Sequence, residues 1–235
     1  MIGIDDADSV RVVTLDRPER RNALTPAGLE SLAAAVRDPP TPVVYLRGAG
    51  EAFCAGADLA SVAALADGGD VEAFVRRGQR TADAIEDSPA VVVAGIDGAA
   101  RGGGVELAAA CDLRVATPAA TFAEPGVTFG LFGAWGGTVR LPELLGLGEA
   151  MDLSLSGRVV DAAEARRIGL VSRVVEEPRS VAERIGDNDA AALEGLKRCL
   201  RHRGSKTERE AAEAAAFEEL VGKHGATLRE FGESS

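Results

Sequence analysis

The residues that could do chemistry gather around glycines. In "GAARGGGVELAAACD", residues 98–112, Gly102, Gly103 and Gly104 run into an apolar segment headed by one carboxylate, Glu106. Glycine lets a backbone approach a ligand closely, and the start of a helix leaves N–H groups without partners. Such donors suit an oxygen that becomes negative only in a transition state. A carboxylate one turn further on would face the same space and could move a proton. The bland alternative is a tight strand-to-helix turn with Glu106 at the surface, aided by the helix dipole. A dinucleotide loop fits less well. The pattern lacks the last glycine of G-x-G-x-x-G, and a Glu in the first turn would repel a pyrophosphate.

A second loop, "EAFCAGADLAS" (51–61), also follows a strand, ends in small residues and leads toward a helix, with Asp58 placed to cap it. Two such loops after parallel strands would meet at the carboxyl ends of a sheet, where open α/β folds hold ligands.

The elements that must position these loops alternate. "VRVVTLD" (10–16), "PVVYLRG" (42–48), "AVVVAGIDG" (90–98) and "DLRVAT" (112–117) read as strands. "NALTPAGLESLAAAVRD" reads as a helix with Thr25 as N-cap and Pro26 in its first turn, and further helices are expected over 71–87 and 104–111. Strand and helix in turn argue an α/β fold with right-handed crossovers. After "GLVSRVVEE" (169–177) the chain becomes rich in Ala, Glu and Arg and reads as helical, with a break at "RHRGSK". We therefore expect a core over 1–179 and a helical C-terminal region over 180–235.

A length of 235 residues with 46% hydrophobic content suits a globular chain with a substantial core. The apolar runs are too short to span a bilayer, and the acidic "MIGIDDADSV" is no signal peptide. Cys54, Cys111 and Cys199 are scattered, which fits a reducing cytoplasm without a disulfide framework. A net charge of −11 argues against nucleic acid and anionic membranes as partners. Lys197, Lys206 and Lys223 are the only lysines. A high-salt cytoplasm and an arginine-favouring genome both explain that, but only the first explains the acidity. His202 and His224, both in the C-terminal region, read as surface residues. No cluster has metal-ligand spacing.

"LDRPERRNAL" (15–24), "AFCAGADL" (52–59), "GAARGGGVELAAACDLRVA" (98–116) and "GGTVRLPELLG" (136–146) resemble the enoyl-CoA hydratase/isomerase (crotonase) family. The resemblance covers about residues 10–175. It implies a spiral of ββα units, a helical C-terminal trimerisation region giving a trimer or a dimer of trimers, and acyl-CoA thioester substrates. It implies no cofactor, coenzyme A being part of the substrate. It places an oxyanion hole on the Ala57 and Gly103 N–H groups. It places substrate against Ala23, Ala55, Ala57, Asp58, Leu59, Gly102, Gly103, Gly126 and Trp135.

Hydratases of this family use two glutamates around one water. Glu106 matches the first. The second belongs to F-x-x-P-E, which here reads "FAEPGVTFG" (122–130), with Gly126 at the Glu position and Glu124 two residues earlier. Two readings stay open: Glu124 swings in because glycine at 126 loosens the turn, or Glu106 works alone. A positive φ, which a glutamate would resist, is expected at Gly126. The expected reaction is hydration of a 2-enoyl-CoA. The alternatives are isomerisation, thioester hydrolysis or decarboxylation by one carboxylate, or acyl-CoA binding without turnover. Trp135 either narrows the acyl pocket or packs the core. Arg101 either steers CoA phosphates or is solvated. Asp112 is expected to anchor a helix end.

Overall fold

The computed structural model describes residues 1–233; Ser234 and Ser235, the end of the expected C-terminal region, lie outside them. Strands β1 (Ile2–Ala7) and β2 (Val10–Leu15) form an antiparallel hairpin, followed by helix α1 (Pro26–Arg37). Thr25 caps α1 as expected, its side chain accepting from the Gly28 N–H. Three ββα units follow. The first is β3 (Val43–Gly48) and β4 (Ala52–Cys54) with α2 (Leu59–Ala66) and α3 (Val71–Glu86). The second is β5 (Val91–Ile96) and β6 (Ala99–Arg101) with α4 (Gly103–Ala110). The third is β7 (Leu113–Ala116) and β8 (Thr121–Ala123) with α5 (Gly137–Leu145). Each unit sends its first strand to a large sheet and its second to a small one. The large sheet runs β1-β2-β3-β5-β7 and ends on β10 (Arg173–Val174). The small sheet runs β4-β6-β8 and ends on β9 (Val160–Asp161). Both are parallel across the three units, as right-handed crossovers require. This is the α/β spiral of ββα units that the motifs implied.

The expected long strands and helices are present. The additions include β1, read only as an acidic stretch, β4 and β6, which lie inside segments read as loops, and β8, β9 and β10, where no strand was expected. Three-residue strands are too short to show alternation. They matter here, because the two glycine-bearing loops follow β4 and β6 of the small sheet and not the long strands directly.

Every residue of β5 is buried, since both faces of the large sheet are covered. On one face, Val92, Ala94 and Ile96 join the main core with α1, α3 and α4. On the other, Val91 and Val93 lie with Val10, Val43 and Tyr45 beneath Val181 and Ala182 of α8 (Arg179–Gly186). Helix α6 (Leu147–Ser156) and the short α7 (Ala162–Arg167) close the core beside β9. The C-terminal helices are α9 (Ala190–Arg201) and α10 (Lys206–Glu233), broken where "RHRGSK" predicted. Among the described residues no helix is long and apolar enough to cross a membrane.

Asp112 fastens α9 to the core. Its carboxylate accepts from the Val92 N–H at 2.7 Å and pairs with Lys197 Nζ and Arg201 Nε, each at 2.8 Å. Arg201 also reaches the Ala110 carbonyl at the C-terminus of α4, where a cation is favoured. Asp112→Asn keeps the shape and leaves two largely buried cations short of charge. Breaking such a cluster costs on the order of 3 kcal/mol. Urea unfolding of the variant should show that loss.

Candidate active site

The two loops meet as the sequence suggested. A Cβ on Gly56 would lie 2.8 Å from both Gly103 N and Arg101 O, so the backbones touch. Leu24 pairs with the loop over 51–61: its N–H donates to Gly56 O and its carbonyl accepts from Asp58 N. Neighbouring N–H groups of an extended chain point to opposite sides, so the intervening Ala57 N–H faces away from Leu24. Ala57 lines a cavity there of about 380 Å³, with Gly102 and Gly103 at its wall. Gly102 takes φ 48°, a conformation open to glycine, and this turns the chain from β6 into α4. Gly103 is the first residue of α4, where an N–H has no intrahelical acceptor.

Glu106 lies in the first turn of α4, a helix buried along its whole length. Its side chain faces the cavity yet is only 1% exposed. Burial without compensation would force such a carboxyl to stay protonated. Here Oε1 accepts from the Trp135 N–H at 3.0 Å and the Gly137 N–H at 2.7 Å. Gly137 opens α5, so Glu106 satisfies a free donor at the start of a second helix. Glycine is required at 137, because a Cβ there would lie 2.7 Å from Oε1. Burial pushes the Glu106 carboxyl up to about 6; the two N–H groups and the more distant Arg140 hold it from going higher.

Glu124 reaches the same cavity by register. Strand β8 pairs with β6 so that Ala123 lies beside Arg101, and Gly102 N donates to Ala123 O. The next residue, Glu124, therefore arrives beside Gly102. Its side chain is 6% exposed, and Oε1 has no hydrogen-bond partner in the protein. Burial and the charge of Glu106 push its carboxyl up to about 8. The cavity thus holds one carboxyl stabilised as an anion and one held in its acid form.

Gly126 differs from expectation in its conformation. It lies in a 3-10 turn over Pro125–Phe129 and is not among the residues of positive φ. Its constraint is steric: a Cβ would lie 2.9 Å from Leu131 O and 3.0 Å from Phe132 Cα. Leu131 N also donates to Gly126 O, so the loop folds back over this glycine.

The other sequence-derived residues divide. Ala55, Leu59 and Trp135 line the cavity; Ala23 and Asp58 do not. Asp58 caps α2 through Ser61 N and pairs with Arg17 Nη1 at 2.8 Å, and both contacts hold its carboxyl below the usual range. Arg101 is tied to Thr121 O and Oγ1. Trp135 both packs the core and walls the cavity, with its ring against Gly78 and Gly103. Cys54 is buried and its thiol is pushed up to about 12, which disqualifies it as a nucleophile.

Two residues escaped the sequence reading. Asn22 is buried in "LDRPERRNAL", where its Nδ2 donates to Ala49 O and Ala52 O and pins the β2–α1 connection to the chain entering β4. Arg140 packs over Gly136 and clamps α5 to α3 through Asp83 Oδ1, at 2.9 Å, and Glu86. It thereby holds the segment that supplies both donors to Glu106. The pattern "GGTVRLPELLG" contained Arg140, but its partners lie more than fifty residues away.

The elevated Glu124 carboxyl has a consequence for stability. The folded chain retains a proton up to about pH 8 that a free carboxyl, with an ordinary value of 4.5, has already released. Stability from this group is intact below pH 4.5 and declines as the pH rises to about 8. Glu124→Gln removes that dependence. Thermal melts should show a difference in Tm between variant and parent that shifts in the variant's favour from pH 5 to pH 8, then levels off.

A model of the enoyl-CoA hydratase/isomerase family matches residues 5–229. The chain is 35% identical over 209 residues to a probable enoyl-CoA hydratase of Mycobacterium leprae, covering 84% of this chain and 79% of that one. It is 35% identical over 228 residues to a crotonyl-CoA hydratase of Syntrophomonas wolfei, covering 91% and 87%. Among solved structures, an enoyl-CoA hydratase from Bacillus anthracis superposes with a TM-score of 0.89 at 34% identity, over 99% of this chain and 96% of that one. On the spiral, the paired loops and these likenesses, the chain belongs to the enoyl-CoA hydratase/isomerase family.

Proposed function

We propose that this protein is a lyase that adds water to the double bond of a 2-enoyl-CoA thioester, using Glu106 and Glu124 together. The observation that carries the reading is the pair of buried carboxyls in one cavity, one bonded as an anion and one with an unpartnered oxygen. The thioester carbonyl is received by the Ala57 and Gly103 N–H groups, which stabilise its oxygen as enolate character develops. Ionised Glu106 takes a proton from water as the water oxygen bonds to Cβ. Protonated Glu124 gives its proton to Cα. The two carboxyls finish with exchanged protonation states, and proton exchange with solvent resets them. The crotonyl-CoA hydratase of Syntrophomonas wolfei supports hydration over the other reactions of the family. Reduced cysteines and a CoA substrate fit a cytoplasmic enzyme.

Mass analysis of crotonyl-CoA after incubation tests the reaction. Gain of one water supports it, loss of CoA would indicate a hydrolase, and no change an acyl-CoA-binding protein. Glu106→Gln keeps the acceptor for Trp135 and Gly137 and removes the proton chemistry. Its rate should fall at least ~100-fold with acyl-CoA affinity little altered. Glu124→Gln should fall by a similar factor. Gly126→Glu should not gain activity, because its Cβ collides with the Leu131 backbone. A faster Gly126→Glu alongside an unimpaired Glu124→Gln would move the second carboxyl to position 126.

The assembly we propose is a trimer or a dimer of trimers. Helix α10 exposes Phe217, Val221 and Leu228, and α6 exposes Leu147, Met151 and Leu155. Apolar surface of that extent calls for a covering partner. Light scattering at micromolar protein should give three or six times the mass of the chain; a monomer would refute it.

A further inference from the structure

The donors to Glu106 come from a backbone that turns easily. "GAWGG" (133–137) has glycine on both sides of Ala134 and Trp135. Gly136 takes φ 104°, a conformation open to glycine. A segment so permissive does not by itself fix which way each peptide group faces. Rotation of the group between Ala134 and Trp135 would aim a carbonyl at the Glu106 carboxylate in place of an N–H.

Arg140 secures the far end of this segment to α3. Gln79 secures the near end. It lies four residues before Asp83 and seven before Glu86, on the same face of α3. Its Nε2 donates to Ala134 O at 3.2 Å, and its Oε1 accepts from Arg76 Nη1 at 3.1 Å. The Ala134 carbonyl and the Trp135 N–H are opposite ends of one planar trans peptide group. A bond that holds the oxygen toward α3 therefore turns the hydrogen toward Glu106 Oε1, which lies 3.0 Å from Trp135 N. Donation to the carbonyl also polarises the amide and strengthens its N–H as a donor. Gln79 lies outside the cavity lining, yet two hydrogen bonds through a single peptide group join it to Glu106.

We propose that Gln79 is a positioning residue for Glu106: by holding the Ala134–Trp135 peptide group in this orientation it keeps the Glu106 carboxylate ionised and ready to accept a proton. The inference rests on the assignment of Glu106 as the base above. The charged groups that act on this carboxyl are Arg140 of α5, Glu124 beyond β8 and, at the cavity wall, Arg101 of β6. Gln79→Met leaves all of them in place, alters no charge, and substitutes a residue of similar length and helix propensity.

Removing the donor to Ala134 O frees the peptide group, weakens the Trp135 bond and raises the Glu106 carboxyl. In Gln79→Met the acid limb of kcat/KM should move up by about one pH unit, lowering kcat/KM up to ~10-fold at pH 5 and less than about twofold at pH 7.5. KM and the alkaline limb, the latter set by Glu124, should stay. Infrared titration of the Glu106 carboxyl band, assigned by its loss in Glu106→Gln, should show the same shift without substrate. Glu30→Gln breaks the Arg77 tie of α3 to α1. It loosens the helix without touching Ala134, and should leave both titrations in place. An unmoved infrared titration in Gln79→Met would overturn the proposal, and so would an equal rise in Glu30→Gln. An infrared shift in a protein that hydrates no crotonyl-CoA would leave this inference standing and remove the hydratase; hydration with an unmoved infrared titration would do the reverse.

Discussion

A carboxylate buried in the first turn of a buried helix is the constraint around which the rest of this structure is arranged. Removing an ionised group from water is expensive unless donors replace the water. At Glu106 they come from the backbone of another ββα unit, the Trp135 and Gly137 N–H groups. Those donors exist only if the chain bends into α5 at one place. That in turn needs glycines at 136 and 137 and the Arg140 clamp to Asp83 and Glu86. Glu86 also receives Arg201 of α9, and Arg201 pairs with Asp112 at the end of α4. Helix α9 is thus joined by charge to the segments that hold the site.

The second carboxyl shows how a small sheet can place a side chain in the cavity. Strands β4, β6 and β8 are three residues each, too few to contribute much stability. Their role is alignment. They bring the ends of three successive units to one edge, with Ala57, Gly103 and Glu124 each just beyond a strand. A one-residue slip in β8 would turn Glu124 away from the cavity. Burial, and after it the charge of Glu106, then favour the acid form of its carboxyl. An acid and a base at neutral pH result from two identical side chains in different surroundings.

Gly126 illustrates a different economy of space. The loop over residues 126–132 returns so tightly that no side chain fits at 126, and Phe129, Leu131 and Phe132 are presented along one wall. The same fold-back that excludes a glutamate there builds this apolar wall. The space at 126 and the apolar wall are therefore not independent in this chain.

By itself, the sequence determined the long strands, the capped helices, the break before α10 and the placing of Glu106 beside a glycine turn. These follow from local periodicity, caps and backbone freedom, which neighbouring residues set. It also carried the motifs of the family, and with them Ala57 and Gly103. Tertiary structure decided what depends on residues far apart in the chain. It made Glu106 an interior anion, because the donors lie about thirty residues later. It paired Asp58 with Arg17, brought Glu124 into the cavity through the register of β8, and assigned Arg140 and Asn22 to partners no local pattern names. It also replaced a supposed positive φ at Gly126 with a steric limit, since only packing shows what stands within 3 Å of an absent Cβ. Burial and long-range pairing set the charge and direction of a side chain, and neither is written in the residues beside it.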